Sequence, residues 1–441
     1  MSSADPINVQ IEAARSTARA LYPILTRQAR RPFVLEITGT PKAGKTTLIG
    51  MLDAFLRDCG FRVQVLKERA SECPLPMKGH FFFNTWTTGT MLAGLIDAID
   101  REHDVVILDR GIFDALIWLR MQAQEGQTTK EESTAFKAFV KLERWRRLID
   151  RVCLIETQPE TAMQRENQNR LIPRSGSVMN ASRLSRFNDA MRELAKEEAD
   201  DFAPTTLPNQ GNAKQGALCL IEDLLAALRT WCDPEIAVVP REFVERVVPN
   251  GSVRWSGELQ QEILAALEYR QRSTIEADDA FVQVMACGAQ THDQEVFVVV
   301  RRPSRDRPPS SRDNTAQIWR GCHLARRGGR VLLIEDFRRQ LNARLLGDLH
   351  LGDLPDLGDP LGIVWDPAGE EPRHLAVVFR AAVPDKLAEW LDEKNFKTNG
   401  RGYRLESSFA APAELSDEIV RKKDYRVEGW SKRILDAGWL L

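Results

Sequence analysis

A loop bounded by glycines and ending in a lysine lies in the stretch ITGTPKAGKTTLIG (37–50). Its spacing, a glycine, four residues and then Gly-Lys-Thr, is that of the phosphate-binding loop G-x-x-x-x-G-K-[ST]. Glycines let backbone N–H groups turn towards phosphate oxygens, the lysine reaches the β- and γ-phosphates, and the threonine hydroxyl binds Mg²⁺. We predict an ATP site made by Gly39, Thr40, Lys42, Ala43, Gly44, Lys45, Thr46 and Thr47.

Two charged pairs follow apolar runs and are candidates for the chemistry beside this loop. Asp109 and Arg110 end the run VVILD, where a carboxylate can organise Mg²⁺ together with Thr46, and a guanidinium can bind a phosphate through two bonds. Glu68 and Arg69 stand in the equivalent place one strand earlier, where a carboxylate can accept or orient the proton of an acceptor hydroxyl. Surface ion pairs at strand ends are the alternative for both pairs.

Two further segments carry candidate binding residues. Phe83, Asn84 and Trp86, in GHFFFNTWTTGTM, have the rings and the amide to hold a nucleobase, although aromatic residues at such spacings also form cores. The segment MQRENQNRLIPRSGSVMN predicts a lid over about 165–180, whose cations would stabilise the phosphoryl group in transit and exclude water, or would be solvated side chains. Its candidate catalytic residues are Arg165, Arg170 and Arg174.

The elements that must position these residues alternate between short apolar runs and longer helical segments. Strands at FVLEIT, RVQVLKE, DVVILD and RVCLIE are followed by predicted helices over 44–58, 84–100, 112–123 and 159–170. This alternation predicts an α/β domain with a parallel sheet and helices on both faces. In such sheets ligands bind beyond the carboxyl ends of the strands, where the candidate residues would meet.

Residues 33 to about 230 resemble the thymidylate kinase and deoxynucleoside kinase group of phosphate-loop kinases. The resemblance is carried by GTPKAGKTT, by Glu68-Arg69 after the second strand, by the Asp-Arg-Gly of 109–111, and by the lid segment. It implies acceptor binding and catalysis for Asp109 and Arg110, and contact with the acceptor hydroxyl for Glu68. The group usually has Tyr or Ser where Gly111 stands and Pro where Arg69 stands, so the acceptor stays open.

Chain length and a change in the pattern of apolar runs predict a second domain. A chain of 441 residues is long enough for two domains, and CDPEIAVVP is the predicted linker between 1–232, which opens with a helix over 8–30, and 236–441. The second part has short strand-like runs at 280–287, 295–300, 331–334, 361–365 and 375–381. With turns between them and few helices, they predict an α+β domain.

The second part resembles a divergent Nudix domain, whose motif is G-x5-E-x7-R-E-U-x-E-E-x-G-U with U apolar. Gly329, Glu335 and Leu345 fit this motif. The motif is degenerate elsewhere, where the chain has Ala343, Arg344, Gly347 and Asp348 in place of the arginine and the three glutamates. Since the missing glutamates hold the metal ions that activate water, the resemblance implies a ligand-binding or regulatory module in which hydrolase activity is doubtful. Nine arginines against two aspartates in 301–330 suit an anionic ligand or a solvated loop.

Composition narrows the class of protein. The net charge of −2 argues against general nucleic-acid binding, and neither a membrane span nor a signal sequence is evident. Seven dispersed cysteines without a C-x-x-C pair predict reduced thiols in a cytoplasmic protein. The sequence leaves a homodimer open.

Three functions compete at this level. The first is an ATP- and Mg²⁺-dependent kinase of a nucleoside or nucleoside monophosphate, and the second is a kinase of a non-nucleotide small molecule. The third is an ATP-binding nucleotide sensor with little turnover, in stress or phage defence. Acceptor-stimulated ADP production separates the third from the others.

We expect a fragment spanning 236–441 to fold and to hydrolyse nucleoside diphosphate derivatives poorly or not at all. Hydrolysis needs clustered carboxylates to hold Mg²⁺ and lower the pKa of its water, and the motif positions offer Glu335 and Asp348 with Arg344 between them. The measurement is phosphate release with each divalent metal. Robust metal-dependent release that Glu335→Gln abolishes would mean that other carboxylates, such as Asp336 or Asp353, rebuild the metal site.

Overall fold

The computed structural model describes residues 6–28, 31–75, 80–99, 103–169, 179–209, 211–302, 314–326, 330–349, 357–369, 372–392, 404–415 and 425–440. The chain divides into two compact units, Met1–Asp233 and Pro234–Leu441. Among the helices of these ranges, none is both long enough and apolar enough to cross a membrane.

The first unit alternates strands and helices. In chain order its elements are α1 (Pro6–Gln28), β1 (Phe33–Gly39), α2 (Lys45–Asp58), β2 (Val63–Leu66), α3 (Phe81–Ile99), β3 (Val105–Asp109), α4 (Ile112–Gln124), α5 (Lys130–Val140), α6 (Glu143–Arg146), β4 (Arg151–Glu156), α7 (Pro159–Asn169), α8 (Ala181–Glu197), α9 (Ala199–Phe202), β5 (Thr205–Pro208) and α10 (Ala213–Cys232).

Five parallel strands form the sheet of this unit, in the order β2-β3-β1-β4-β5. Alternate residues of the central strand face opposite sides, as the pleat of a strand requires. Leu35 and Ile37 pack with α1, α2 and α10, whereas Val34 packs with α3, α4 and α8. The predicted parallel sheet with helices on both faces is confirmed, and β1 at its centre carries the phosphate loop to the carboxyl edge.

Some local predictions differ from the structure. The polar stretch TTLPNQGNAKQG over 205–216 predicts a loop, which is wrong, because β5 pairs with β4 and α10 begins at Ala213. An edge strand of four half-buried or exposed residues has little apolar periodicity to reveal it. The helix α5 was also not predicted, although Thr129 and Glu132 form a capping box at its start.

The second unit contains most of the antiparallel structure. Its elements are β6 (Glu235–Pro240), α11 (Arg241–Val247), β7 (Ser252–Arg254), α12 (Gly257–Ala266), β8 (Glu268–Gln271), α13 (Arg272–Ile275), β9 (Phe281–His292), β10 (Glu295–Arg302), β11 (Thr315–Gln317), β12 (Trp319–His323), α14 (Ile334–Leu349), β13 (Pro360–Trp365), β14 (His374–Ala382), α15 (Asp385–Asp392), β15 (Arg404–Ala410), β16 (Arg426–Val427) and α16 (Gly429–Asp436).

One mixed sheet organises this unit, and within the described residues it has eleven strands. β9 lies at its centre, parallel to β14 and antiparallel to β6, β10 and β12. One face packs against α11, α12 and α14, and the other against α16. The predicted α+β class is confirmed.

Two predictions for this unit need correction. Residues 331–334 are not a strand: they lead into α14, because the Asp336 carboxylate accepts a hydrogen bond from Leu333 N at 3.0 Å and so starts the helix there. The segment 301–330 is not a bare loop either, since it includes the end of β10 and the strands β11 and β12.

Candidate functional site

A cavity of about 820 Å³ lies beyond the carboxyl ends of β1, β2 and β3 in the first unit. The phosphate loop forms one end of it, and residues of α3 and α4 form the other. Its lining includes Lys42, Gly44, Lys45, Thr46, Thr47, Glu68, Arg69, Phe83, Asn84, Asp109, Arg110, Asp114, Trp118, Gln122, Arg165 and Asn209. Sequence positions far apart in the chain therefore share one space.

The backbone of the phosphate loop takes a course that its glycines permit. Gly39 has φ 136°, and a Cβ there would lie 2.1 Å from the carbonyl oxygen of Ile155 on β4. Gly44 precedes α2 at φ 86°, in the left-handed region that favours glycine. The loop consequently turns directly into the N-terminus of α2, where free N–H groups suit a phosphate.

Lys45 is buried beneath this loop. Its Nζ donates hydrogen bonds of 3.0 Å to the carbonyl oxygens of Gly39 and Thr40. Burial and the nearby Arg110 lower the pKa of Lys45 to about 7, against the opposite effect of the neighbouring carboxylates. A lysine held in this way carries charge that an anionic ligand would stabilise.

Residues from later in the chain brace the loop. The Asn209 side chain, just after β5, donates to the carbonyl oxygen of Ala43 at 2.6 Å. Arg165 on α7 donates to the carbonyl oxygens of Lys42 at 3.3 Å and Asn209 at 3.2 Å. Lys42 forms an ion pair of 2.9 Å with Glu166. Arg165 thus contacts the loop backbone, at the point where the predicted lid begins.

Arg110 is bracketed by two carboxylates. Its Nε lies 2.9 Å from Glu68 Oε2, and its NH1 donates to Asp114 Oδ1 at 3.0 Å. Burial alone would lower the pKa of Arg110, but Asp114, Glu68 and Asp109 outweigh it and raise that pKa. Burial raises the pKa of Asp109, which Arg110 and Lys45 oppose. The two predicted charged pairs therefore meet at one place.

A carboxylate lies behind this group, in the middle of β1. Glu36 is fully buried, and its oxygens accept hydrogen bonds from the backbone N–H groups of Phe113 at 3.1 Å and Asp114 at 2.9 Å. Burial raises the pKa of Glu36 to about 7, although these hydrogen bonds favour the charged form. Its charge is thus marginal at neutral pH.

The far end of the cavity combines amides with aromatic rings. Asn84 is buried and donates to the carbonyl oxygen of Ala115 at 3.1 Å and to Gln122 Oε1 at 3.3 Å. Phe83 and Trp118 line the same space. Amide groups beside ring faces provide hydrogen bonding and stacking for a planar ligand.

Not every predicted site residue faces the cavity. Trp86 is half-buried on α3 and is not among the lining residues. Arg69 lies at the cavity, but its NH2 pairs with the exposed carboxylate of Glu72 at 2.6 Å. Arg170 and Arg174 lie outside the described residues.

Several residues of the site were missed from the sequence. Asp114, Trp118 and Gln122 follow Arg110 at intervals of four, so a helical pattern starting at Arg110 would have placed them on one face. Glu36 had its own signal, an acidic residue inside the otherwise apolar run FVLEI. Asn209 had no signal in the sequence, because the strand before it was not predicted.

In the second unit the motif positions lie on and before α14. Leu345 is fully buried in the core, Glu335 is exposed, and Asp336 is buried and paired with Arg330 and Arg339. Gly329 and Asp353 lie outside the described residues, as do the side chain of Asp348 and the surroundings of Gly347. Within the described part of the chain, no three His, Cys, Asp or Glu side chains converge to hold a metal ion.

Comparison with protein families supports the nucleotide-binding assignment. The family model of the methylmalonyl-CoA mutase-associated GTPase MeaB matches residues 7–71, a stretch that includes α1, β1, the phosphate loop and β2. The first unit is therefore a P-loop nucleotide-binding domain. The match covers too little of the chain to assign it to that family. A comparison with curated proteins gives no match.

Solved structures show a distant likeness. The chain is similar to Tm1382, proposed to be a Nudix hydrolase, at 19% identity and TM-score 0.33 over 46% of this chain and 98% of that one. It is also similar to deoxyadenosine kinase from M. mycoides with dCMP and dCDP bound, at 17% identity and TM-score 0.35 over 44% and 100% of the chains. The same enzyme with bound dATP is 18% identical, at TM-score 0.34 over 44% of this chain and 99% of that one. Such values say nothing about activity or substrate.

Lys45→Ala should reduce nucleoside triphosphate turnover about 100- to 1,000-fold, because the variant lacks a preorganised charge at the phosphates. Its unfolding temperature should change little, since burial already disfavours the lysine charge in the absence of a ligand. Turnover and thermal unfolding are the measurements. Lys130→Ala, at an exposed position of α5, is the control and should behave as wild type. Near wild-type turnover in Lys45→Ala would refute the loop assignment.

Glu36 should make the free energy of unfolding depend on pH. Its pKa rises from 4.5 to about 7 on folding, so the folded state holds the proton more tightly. The resulting stability is fully present below pH 4.5 and is lost as the pH rises through about 7, by at most about 3 kcal/mol. Denaturant unfolding of wild type and Glu36→Gln at pH 5 to 8 measures this. If both show the same pH slope, Glu36 does not titrate in this range.

Proposed function

We propose that the first unit is an ATP- and Mg²⁺-dependent phosphotransferase whose acceptor is a nucleoside or nucleoside monophosphate. The observation that carries this proposal is the extent of the cavity, which runs from Lys45 and Thr46 to Asn84 and Gln122. A triphosphate needs the loop end, whereas convergent amides and rings at the far end are what a second ligand would use.

Each group near the loop has a role in phosphoryl transfer. Lys45 holds the β- and γ-phosphates, and Arg110 stabilises the charge on the phosphoryl group in transit. Glu68 accepts the proton of the acceptor hydroxyl. The oxygens of Thr46 and Asp109 suit Mg²⁺, which prefers hard oxygen ligands; when bound, the ion would neutralise charge on the β- and γ-phosphates. Arg165 would close the loop side, with Arg170 and Arg174 as predicted partners.

The charges around Arg110 favour a neutral acceptor. Glu68, Asp109 and Asp114 all act on this one guanidinium, so its charge is already matched by protein carboxylates. A monophosphate brought to the same place would meet like charges at short range. We therefore rank a nucleoside above a nucleoside monophosphate as acceptor, with Asn84, Gln122 and Trp118 as contacts for its base.

The second unit is proposed as a ligand-binding or regulatory module without strong hydrolase activity. Among its described residues, Asp336 is occupied by arginine partners, and Glu335 is exposed with Arg338 3.8 Å away. A single exposed carboxylate binds Mg²⁺ weakly in water.

A nucleotide-dependent switch with little turnover is the second candidate. The observation that favours it is the match of residues 7–71 to a GTPase family model. In that case GTP would bind in preference to ATP, and no nucleoside would accelerate its hydrolysis. Isothermal titration with ATP and GTP, followed by a panel of nucleosides and monophosphates with each, separates the two candidates.

Glu68→Gln and Arg110→Ala should each reduce acceptor-dependent turnover by about 100-fold or more while leaving nucleoside triphosphate affinity within a few-fold. Both side chains lie on the acceptor side of the loop, so the triphosphate keeps its contacts. The measurements are triphosphate binding and the rate of acceptor phosphorylation. A monophosphate acceptor, already ionised, would tolerate Glu68→Gln better than a nucleoside would.

Glu72→Gln is the matched control, since it neutralises an exposed carboxylate in the same loop and outside the cavity lining. It should retain wild-type rates. Loss of triphosphate affinity in Arg110→Ala, with normal acceptor dependence, would place this arginine on the nucleotide instead. No stimulation by any nucleoside or monophosphate would refute the kinase proposal.

A further inference from the structure

Glu36 caps the N-terminus of α4, the helix that follows the turn containing Arg110 and Gly111. Gly111 stands at the N-cap position of α4 and has no side chain to accept the free N–H groups of the first helical turn. The two oxygens of Glu36 take this place by accepting from Phe113 N and Asp114 N. A residue of the central strand therefore caps a helix that lies elsewhere in the sequence.

The same carboxylate explains why glycine stands at position 111. A Cβ at that position would lie 2.7 Å from Glu36 Oε2 and 2.8 Å from its carboxyl carbon. Cβ atoms essentially never approach other heavy atoms this closely, so any larger residue would displace either the carboxylate or the turn. The Glu36 carboxylate therefore occupies the space that a side chain at position 111 would need.

The close packing of Glu36 against Gly111 determines where the charged groups of the cavity lie. Arg110 adopts φ 65°, and its N–H donates to the carbonyl oxygen of Ile37 at 3.0 Å. Asp114, whose own N–H is bound by Glu36, accepts from Arg110 and from the Thr38 hydroxyl. The turn between β3 and α4 is fixed on both sides, by Ile37 before Gly111 and by Glu36 after it.

We propose that Glu36 is a positioning residue for phosphoryl transfer: by capping α4 it fixes the turn that holds Arg110 and Asp114 at the acceptor. The inference rests on the function proposed above. Glu36 is buried behind the cavity and does not line it, so it acts through Arg110 and Asp114 and touches neither nucleotide nor acceptor.

Glu36→Gln tests this with little change in volume. Its amide accepts one of the two N–H groups and turns an NH₂ towards the other, so the cap is weakened. We expect triphosphate affinity within twofold of wild type, acceptor-dependent kcat at least tenfold lower at pH 8, and faster amide hydrogen exchange over 112–116. At pH 8 the buried carboxylate is charged, so the glutamine should not lower the unfolding temperature there.

Glu198→Gln is the control for a purely structural effect. Glu198 is another buried glutamate of this unit, paired with Lys137 and Lys141 and outside the cavity lining. Its variant should lose stability and keep kcat. If Glu36→Gln keeps kcat and α4 exchange rates, or loses activity only in proportion to stability, the positioning role is overturned.

A double-mutant cycle provides the second measurement. Gly111→Ala should lower kcat at least tenfold in the wild-type background, because its methyl group meets the Glu36 carboxylate. In a Glu36→Ala background, where that space is empty, adding Gly111→Ala should change kcat by no more than twofold. Multiplicative effects of the two substitutions would show that the residues act independently and would overturn the inference.

The exchange measurement distinguishes this inference from the proposed function. If the wild-type protein phosphorylates no acceptor, the proposed function fails. Slow amide hydrogen exchange over 112–116 in wild type and faster exchange in Glu36→Gln would then still support the conclusion that Glu36 caps α4 and fixes the turn. Equal exchange in the two proteins would overturn it, whatever the reaction.

Discussion

The placement of Arg110 between Glu68 and Asp114 is the interaction on which the charged part of the cavity beside the phosphate loop depends. It joins the loop after β2 to the turn after β3 and the first turn of α4, which are far from that loop in the sequence. A buried guanidinium needs such partners, because removing one leaves an uncompensated charge away from water. In return, two carboxylates that would repel each other are held close together.

The phosphate loop is set by a constraint of a different kind, which is steric. β1 and β4 approach so closely at Gly39 that the Ile155 carbonyl oxygen occupies the space of a side chain. Asn209 and Arg165 then hold the outer side of the loop through backbone carbonyl groups. The loop is therefore shaped mainly by backbone contacts, whereas the surroundings of Arg110 are shaped by side-chain charge.

The sequence predicted the elements whose patterns are local. The motif from Gly39 to Thr46 and the buried strands of the parallel sheet needed no tertiary information. The edge strand β5 was missed because its four residues are half-buried or exposed and show little apolar periodicity. Asp114, Trp118 and Gln122 share a helix face with Arg110, so their place at the cavity follows only once Arg110 itself is placed there. In the second unit, the run at 331–334 was apolar enough for a strand, but the Asp336 cap makes it the approach to a helix.

The first helix of the P-loop unit packs against its last one: Leu21 and Leu25 of α1 share a core with Leu224 and Leu228 of α10. During synthesis, the part of this apolar sheet face that α10 covers therefore stays exposed until residues near 232 have left the ribosome. The brace of Asn209 on Ala43 is delayed in the same way. A nascent chain that already contains the whole phosphate loop would still lack this brace, and its exposed apolar sheet face would be a surface for chaperones during that interval.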